Sequence, residues 1–399
     1  MSRPRIAALA AALLFASAIP AQAAATIRGL PLPDGATIDI EAGRAAVTAN
    51  TRGDVVANAE VGHKQRIVVW DAEGRRRILE PPPGGQYDQP EMAFTGDGVV
   101  APDGAVYGIG GYPFSGAYSG VRTRLYVWRA GPPLEINGRA CAGRATDAHP
   151  TAVAADGRVA LSGGYDSDVM SIDAIEAGTM PPTASILDGA TCHALDFGWI
   201  SALDGGFAAG RRGYQNGKAI PSNVNAQSQK YVAVRWTGTH AQELGSGVAL
   251  GVNAKGDCAG SDAPPGIHGA YTISSSSSAG TVTHRYSIDD IHALVWHGNV
   301  MTRLSPEASR SIAYAINESG RTVVGTMRDA AGQHAVRWRD GKAELLDSLL
   351  PRDAGWQLIT AYAITPDNAI VGVGRHNNTL SAFILSAPAP GAGLEPTTR

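Results

Sequence analysis

Residues Ala313–Gly320 read Ala-Tyr-Ala-Ile-Asn-Glu-Ser-Gly, and they are followed by Arg321-Thr-Val-Val-Gly325, His334-Ala-Val-Arg-Trp338 and Lys342-Ala-Glu-Leu-Leu346. Each piece is a short apolar or alternating run, and each is separated from the next by turn-forming residues. Four strands of about five residues joined by tight turns make one antiparallel sheet. The same pattern recurs along the chain. Anchored on the turn residue, its copies fall at Gly53, Gly104, Gly157, Gly205, Gly256, Gly320 and Asn368, separated by 51, 53, 48, 51, 64 and 48 residues. A two-residue hairpin turn that needs positive φ explains the residue type, since Gly adopts that conformation freely and Asn tolerates it. An aromatic residue follows in the third strand of six copies: Trp70, Trp128, Trp236, Trp296, Trp338 and Phe383. The third copy lacks one, and its third strand is expected around Thr183–Leu187.

A four-stranded unit of this size cannot bury both of its faces alone, but packed face to face around an axis it can. The expected fold is therefore all-β, a β-propeller of seven four-stranded blades; counts of six or eight remain open because of the third copy. The large third-strand aromatic fills the wedge between blades, and Ala, Gly and Val crowd the narrow inner strand. The last copy ends at Phe383-Ile-Leu385 and runs into Ala387-Pro-Ala-Pro, so it lacks a fourth strand. The β-prone residues between Thr26 and Ile40 are expected to supply it and close the ring, removing the exposed edges.

The chain ends are read separately. Arg3 and Arg5, an uncharged run from Ile6 to Ile19 and the triplet Ala21-Gln-Ala23 have the order of a secretory signal peptide. The expected organisation is a signal peptide over 1–23, one propeller domain over 24–386 and a disordered tail over 387–399. The protein is then secreted or periplasmic, with no integral membrane segment after cleavage. In that oxidising setting Cys141 and Cys192 are the preferred disulfide pair, joining links on adjacent blades, and Cys258 is a buried free thiol.

The repeat resembles the HAF repeat of bacterial extracellular proteins. The residues that carry the likeness are His334-Ala335 with Trp338, His292-Ala293 with Trp296, Ala315-Ile-Asn317 with Gly320 and Val323-Val-Gly325, and Ala363-Ile364 with Val371-Gly372. The resemblance implies an exported repeat protein and carries no established chemistry. His292 and His334 occupy repeat positions and are read as structural.

Thirty-three basic and 36 acidic residues give a formal net charge of -3, with no basic run long enough to follow a phosphate backbone, so nucleic acid is excluded as a partner. There is no His-Glu-x-x-His, no Gly-x-Ser-x-Gly elbow, and no phosphate-binding Gly-rich loop before a helix. No cofactor is called for. Insertions say more than motifs: the spacing from turn Gly to aromatic is 17 and 18 in copies one and six, but 24, 31 and 40 in copies two, four and five. These expansions lie between second and third strands, so they emerge on one end of the ring, the usual place for binding residues on a repeat scaffold. They carry Tyr112, Tyr118 and Arg122; Arg211, Arg212 and Tyr214; and His268, His284, Arg285 and Tyr286, beside a flexible run Ser274–Ser278. Aromatic platforms beside guanidinium groups suit a glycan, an acidic one above all. The links between blades add His149 and His193, placed at the channel mouth. With Tyr214 and His284 they are the catalytic candidates should the protein be a lyase or hydrolase for an acidic sugar or ester. Asp166 and Asp168 are weak metal candidates whose spacing fits no calcium loop. The primary expectation is a monomeric binding protein for a glycan, small molecule or protein.

Overall fold

The computed structural model describes residues 25–40, 46–81, 94–114, 120–136, 141, 147–164, 183–196, 198–215, 218–220, 230–263, 271–277, 280–286, 291–308 and 310–386. The expected signal peptide and C-terminal tail lie outside them.

Seven four-stranded antiparallel sheets make a ring, and the first six in chain order each take four consecutive main strands running from the axis outward. Blade one holds Val47–Ala49, Val55–Val61, Lys64–Trp70 and Arg76–Leu79; blade two holds Phe94–Val100, Val106–Phe114, Gly120–Trp128 and Leu134–Ile136. Blade three holds Asp147–Val153, Val159–Gly164, Ala184–Asp188 and Thr191–Asp196; blade four holds Trp199–Asp204, Phe207–Gln215, Lys230–Thr237 and His240–Ser246. Blade five holds Val248–Val252, Cys258–Ser261, Ala293–His297 and Val300–Arg303; blade six holds Arg310–Ile316, Thr322–Asp329, Gly332–Arg339 and Lys342–Leu345. Blade seven takes Trp356–Ile364, Ile370–His376 and Thr379–Ser386, and its outer strand is the N-terminal Thr26–Pro31, paired antiparallel from Thr26↔Ser386 to Pro31↔Ser381. The fold is a seven-bladed β-propeller, closed by the strand from the other end of the chain as expected.

The repeat residues have identifiable physical roles. All seven anchors have positive φ, including Asn368 at 63°. The turn itself differs from the two-residue hairpin expected. In five blades three residues close it: Gly53 N–H donates to Asn50 O and Asn50 N–H to Asp54 O, and the pattern repeats at Ala101/Gly104, Ala154/Gly157, Asn253/Gly256 and Thr365/Asn368. That is a type I turn followed by a left-handed residue, the usual three-residue solution. Blade six spends four residues, and only blade four, with Gly205-Gly206 between Asp204 and Phe207, has two.

The Asn of the Ala-Ile-Asn pattern fastens neighbouring blades. Asn50 Oδ1 accepts the backbone N–H groups of Arg52 and Asp54, while its Nδ2 donates 2.8 Å to Ala101 O in blade two. Asn253 does the same between blades five and six, donating to Asn317 O at 2.9 Å. The Gly of Val-Val-Gly has a different reason. A bulge in the inner strand of blade six pushes a carbonyl onto the second strand, so a Cβ at Gly325 would lie 1.9 Å from Ile312 O. Gly210, Gly260 and Gly372 meet Trp199, Val248 and Thr360 carbonyls in the same way. No side chain fits there.

Trp70, Trp236, Trp296, Trp338 and Phe383 are the largest fully buried side chains, each in the third strand of its blade. Their reach is toward the preceding blade. Trp296 Nε1 donates to Leu244 O, Trp128 Nε1 to Glu80 O, and Trp338 Nε1 to Ser305 Oγ. The apolar clusters are accordingly layers between blades, such as Ala154, Ile186, Ile200 and Trp236 between blades three and four. Blade three has no aromatic at this position. Its third strand, Ala184–Asp188, lies where the third copy placed it.

Cys141 and Cys192 form a disulfide, and Cys258 is a buried free thiol that burial pushes up to about 12. A disulfide fits an oxidising compartment. Among the described residues no helix is long and apolar enough to cross a membrane. The repeat histidines pair within their blades, His292 Nδ1 with Asp262 and His334 Nε2 with Asp329, as structural residues do.

Candidate functional site

In each blade the first-to-second-strand turn lies at one end of the ring, so the second-to-third-strand connections lie at the other. Three of those connections are extended, as expected. In blade two the ladder continues out to Phe114↔Gly120, which places Tyr112 and Arg122 opposite each other on an extended hairpin. Blade four extends its second strand to Gln215 and adds the short strand Lys218–Ile220. Blade five inserts a whole hairpin, Tyr271–Ser277 with Gly280–Tyr286, carrying His284, Arg285 and Tyr286 on its second strand. The serine run expected to be flexible is instead paired in the ladder from Ser274↔Thr283 to Ser277↔Gly280. Tyr118, His268, Asp166 and Asp168 lie outside the described residues.

Of the catalytic candidates, His193 and Tyr214 lie away from His149. The sequence puts His193 in a link at the channel mouth, but Gly189, at φ 57°, turns the chain so that Thr191–Asp196 pairs back as the outer strand of blade three. His193 is exposed there, three strand spacings of about 4.8 Å from the inner strand. Cys192 shares that strand, so the disulfide ties the outer strand of blade three to the preceding link rather than joining two links. Tyr214 faces outward too. Its hydroxyl donates to Glu243 of the outer strand, whose carboxylate also pairs with Arg212 at 3.3 Å. Burial, with the Glu243 contact, raises the Tyr214 phenol. Arg212 and Tyr214 therefore form a cross-strand network of blade four.

His149 is the candidate beside the channel: it does not line the cavity, but its partner Asp97 does. It sits at the start of the inner strand of blade three, and its Nδ1 lies 2.5 Å from Asp97 Oδ2 of blade two. Asp97 is buried and has φ 52°, a left-handed conformation that a non-Gly residue holds at a cost. The bulge that contains it is locked from blade one, where Asn58 Oδ1 accepts Gly98 N–H at 2.7 Å. The His149 ring lies 6.3 Å from Trp199 of blade four, and on Trp199 rests the Arg211 guanidinium, 5.6 Å from the ring centroid. Arg211 is also 5.7 Å from the Tyr231 ring, held between two aromatics. Burial lowers its proton affinity, and among the described residues its Nε has no hydrogen-bond partner. A desolvated guanidinium of this kind favours an anion.

The channel itself is a cavity of about 500 Å³, lined by all seven inner strands and their turns. It runs from the turn end to Asp97 and Trp199. Ile40, from the connection after the N-terminal strand, packs against Tyr314 and Tyr362, and Tyr362 Oη donates 3.0 Å to Ile40 O. At the turn-end rim Asp204 of blade four and Glu318 of blade six both line the cavity. Burial and the Glu318 carboxyl push Asp204 up to about 7. Sequence reasoning missed this pair. Each residue sits beside a repeat turn, where an acid looks like an ordinary turn former, and only superposition of copies four and six places both on the rim.

The raised Asp204 has a stability consequence whose sign is fixed. Its carboxyl holds a proton more tightly folded than at its ordinary 3.8, so stability falls as pH rises between that value and about 7. Asp204→Asn is expected to match the parent's melting temperature near pH ~4 and to exceed it above pH ~7, read by thermal melts across that range. An advantage of equal size at both ends would contradict a raised Asp204.

The ring of blades defines the class, a seven-bladed β-propeller. No family model and no curated protein sequence matches the chain. Among solved structures it is similar to the β-propeller domain of the Trilobed protease from Pyrococcus furiosus, at 10% identity and TM-score 0.47, covering 94% of this chain and 98% of that one. It is similar also to an oligogalacturonate lyase from Vibrio parahaemolyticus, at 10% identity and TM-score 0.42, covering 93% and 99%. Polysaccharide lyase Uly1 is similar at 8% identity and TM-score 0.47, covering 88% and 91%.

Proposed function

We propose that this is an exported, monomeric binding protein that recognises an acidic glycan at the end of the propeller carrying the extended hairpins. The observation that carries the reading is Arg211, a desolvated guanidinium between Trp199 and Tyr231 with an unpartnered Nε among the described residues. A uronate carboxylate offers the charge that such a group lacks, and the neighbouring rings offer apolar faces to a sugar. Extended hairpins from blades two, four and five rise around the same end. Titration with uronic-acid oligosaccharides and their neutral counterparts tests it. Binding of the acidic series alone is expected, weakened about tenfold or more by Arg211→Ala, the worth of a charged hydrogen bond. Equal affinity for both series, or none lost in the variant, would refute it.

A second reading has its own observation, the Asp97–His149 pair. A carboxylate on Nδ1 orients an imidazole and leaves Nε2 to take a proton, as a lyase or hydrolase for an acidic sugar requires. Turnover of the acidic oligosaccharides that His149→Ala abolishes while binding persists would favour this reading. Binding with no turnover would leave the protein a receptor.

A further inference from the structure

We propose that the layer between blades six and seven holds, at its hairpin end, a single buried halide ion, chloride above all, bound by the Arg310 guanidinium beside Ile40 and joining the two blades.

Arg310 makes the case by contrast. Three arginines are less than a tenth exposed among the described residues, Arg66, Arg310 and Arg337. Two of them have a carboxylate: Arg66 Nε lies 3.5 Å from Glu80 and Arg337 Nε 2.7 Å from Glu344. Arg310, 8% exposed, has no hydrogen-bond or ion-pair partner among the described residues. A desolvated guanidinium without a counter-charge is costly, and an anion taken from solution removes that cost.

The strand register says what surrounds it. Arg310 pairs with Arg328, and Arg328 with Gln333, so the three side chains stand in one row on one face of blade six. That face looks at blade seven, since Gln333 Nε2 donates 2.9 Å to Thr360 Oγ1 and Thr326 Oγ1 donates 3.1 Å to Ile359 O. Arg328 makes an interaction of its own, so the unmet charge is that of Arg310. Two guanidiniums placed directly opposite each other also repel, and an anion beside them offsets the repulsion. The row borders a small cavity that has Ile40 and Ile312 on its apolar side. Its volume of about 10 Å³ has room for one water-sized occupant. A halide is close to that size, whereas sulfate, phosphate or a sugar carboxylate is larger than the space admits. The site is distinct from Arg211, which belongs to blade four.

The experiment is a thermal melt of the full chain in sodium chloride, sodium bromide and sodium gluconate, with gluconate holding the ionic strength constant as the halide is varied. Chloride and bromide are expected to raise the melting temperature saturably, by about 2 °C or more over gluconate, as a ligand of the folded state does. Arg310→Leu should lose this halide dependence and melt no lower than the parent in gluconate, because the repulsion goes with the charge. Arg303→Ala, at an exposed arginine paired with Asp262, should keep it. A crystal of the parent grown in bromide gives a readout independent of any variant: an anomalous scattering peak is expected within about 3.5 Å of the Arg310 guanidinium. Equal melting in chloride and gluconate, a halide effect undiminished in Arg310→Leu, or a protein carboxylate or a water where the bromide should sit would overturn the proposal.

Discussion

Trp338→Ala is expected to destabilise the propeller by about 3–5 kcal/mol, the cost of emptying a buried aromatic site. Trp338 is 1% exposed and fills the layer between blades five and six, against Ala293, Val295, Leu304 and Ile316. Its indole N–H donates 2.7 Å to Ser305 Oγ, which sits at the end of blade five with φ 48°. Truncation therefore leaves both a cavity and a hydroxyl without its donor, and the second cost adds to the first. The wedge is flanked by inner-strand backbone pinned by the Gly325 contact with Ile312 O, so collapse around the void is limited. Chemical denaturation of the variant against the parent reads the loss. A change below about 1 kcal/mol would show that the third-strand aromatic does not hold blades together.

The second large effect is at the ring closure. Leu30 is 1% exposed and belongs to the core layer that includes Val47, Val55, Trp70 and Ala382, joining blade seven to blade one. Leu30→Asp places a carboxylate in that layer and is expected to cost at least about 3 kcal/mol, a buried charge being among the few single changes of that size. Deleting the strand to Pro31 goes further. It strips the partner from Ser381–Ser386 and leaves a long apolar edge open to another chain, so aggregation is the expected outcome. Arg28→Ala is the control, because Arg28 is on the exposed outer strand and its Nη1 reaches Ala72 O at 2.5 Å on the surface. Light scattering and melting of the three variants separate the cases. A monomeric strand-deleted chain that melts like the parent would mean that the ring does not need its closure.

Much of the architecture could be read from spacing, because one physical requirement recurs seven times. Gly53 through Asn368 mark the turns, and Trp70 through Phe383 mark the wedges. The third copy was harder to read because Thr183–Leu187 has no aromatic and the following Gly189 turn resembles a link; that misplaced Cys192 and His193. The site was less legible. His149 is visible as a residue entering an inner strand, but its partner Asp97 lies in a bulge that only the register between Gly96 and Val99 reveals. Arg211 could be named from its insertion. Its sandwich between Trp199 and Tyr231 needs the pairing of Trp199↔Arg211 and Arg211↔Ala233 to be known. Arg211 and Arg212 are neighbours in sequence, yet strand alternation sends one to the aromatics and the other to Glu243. Asp204 and Glu318 are 114 residues apart, and no local pattern announces that both line the cavity.

Arg211 and Trp199, on the hairpin-bearing end, are the proposed glycan site. A crystal structure of the protein soaked with a uronic-acid trisaccharide tests it most directly. The expected result is a carboxylate within hydrogen-bond distance of the Arg211 guanidinium and a sugar ring beside Trp199 or Tyr231. Sugar bound at the Asp204–Glu318 rim instead, or an Arg211 whose Nε is already satisfied by a protein carboxylate with no sugar near it, would contradict it.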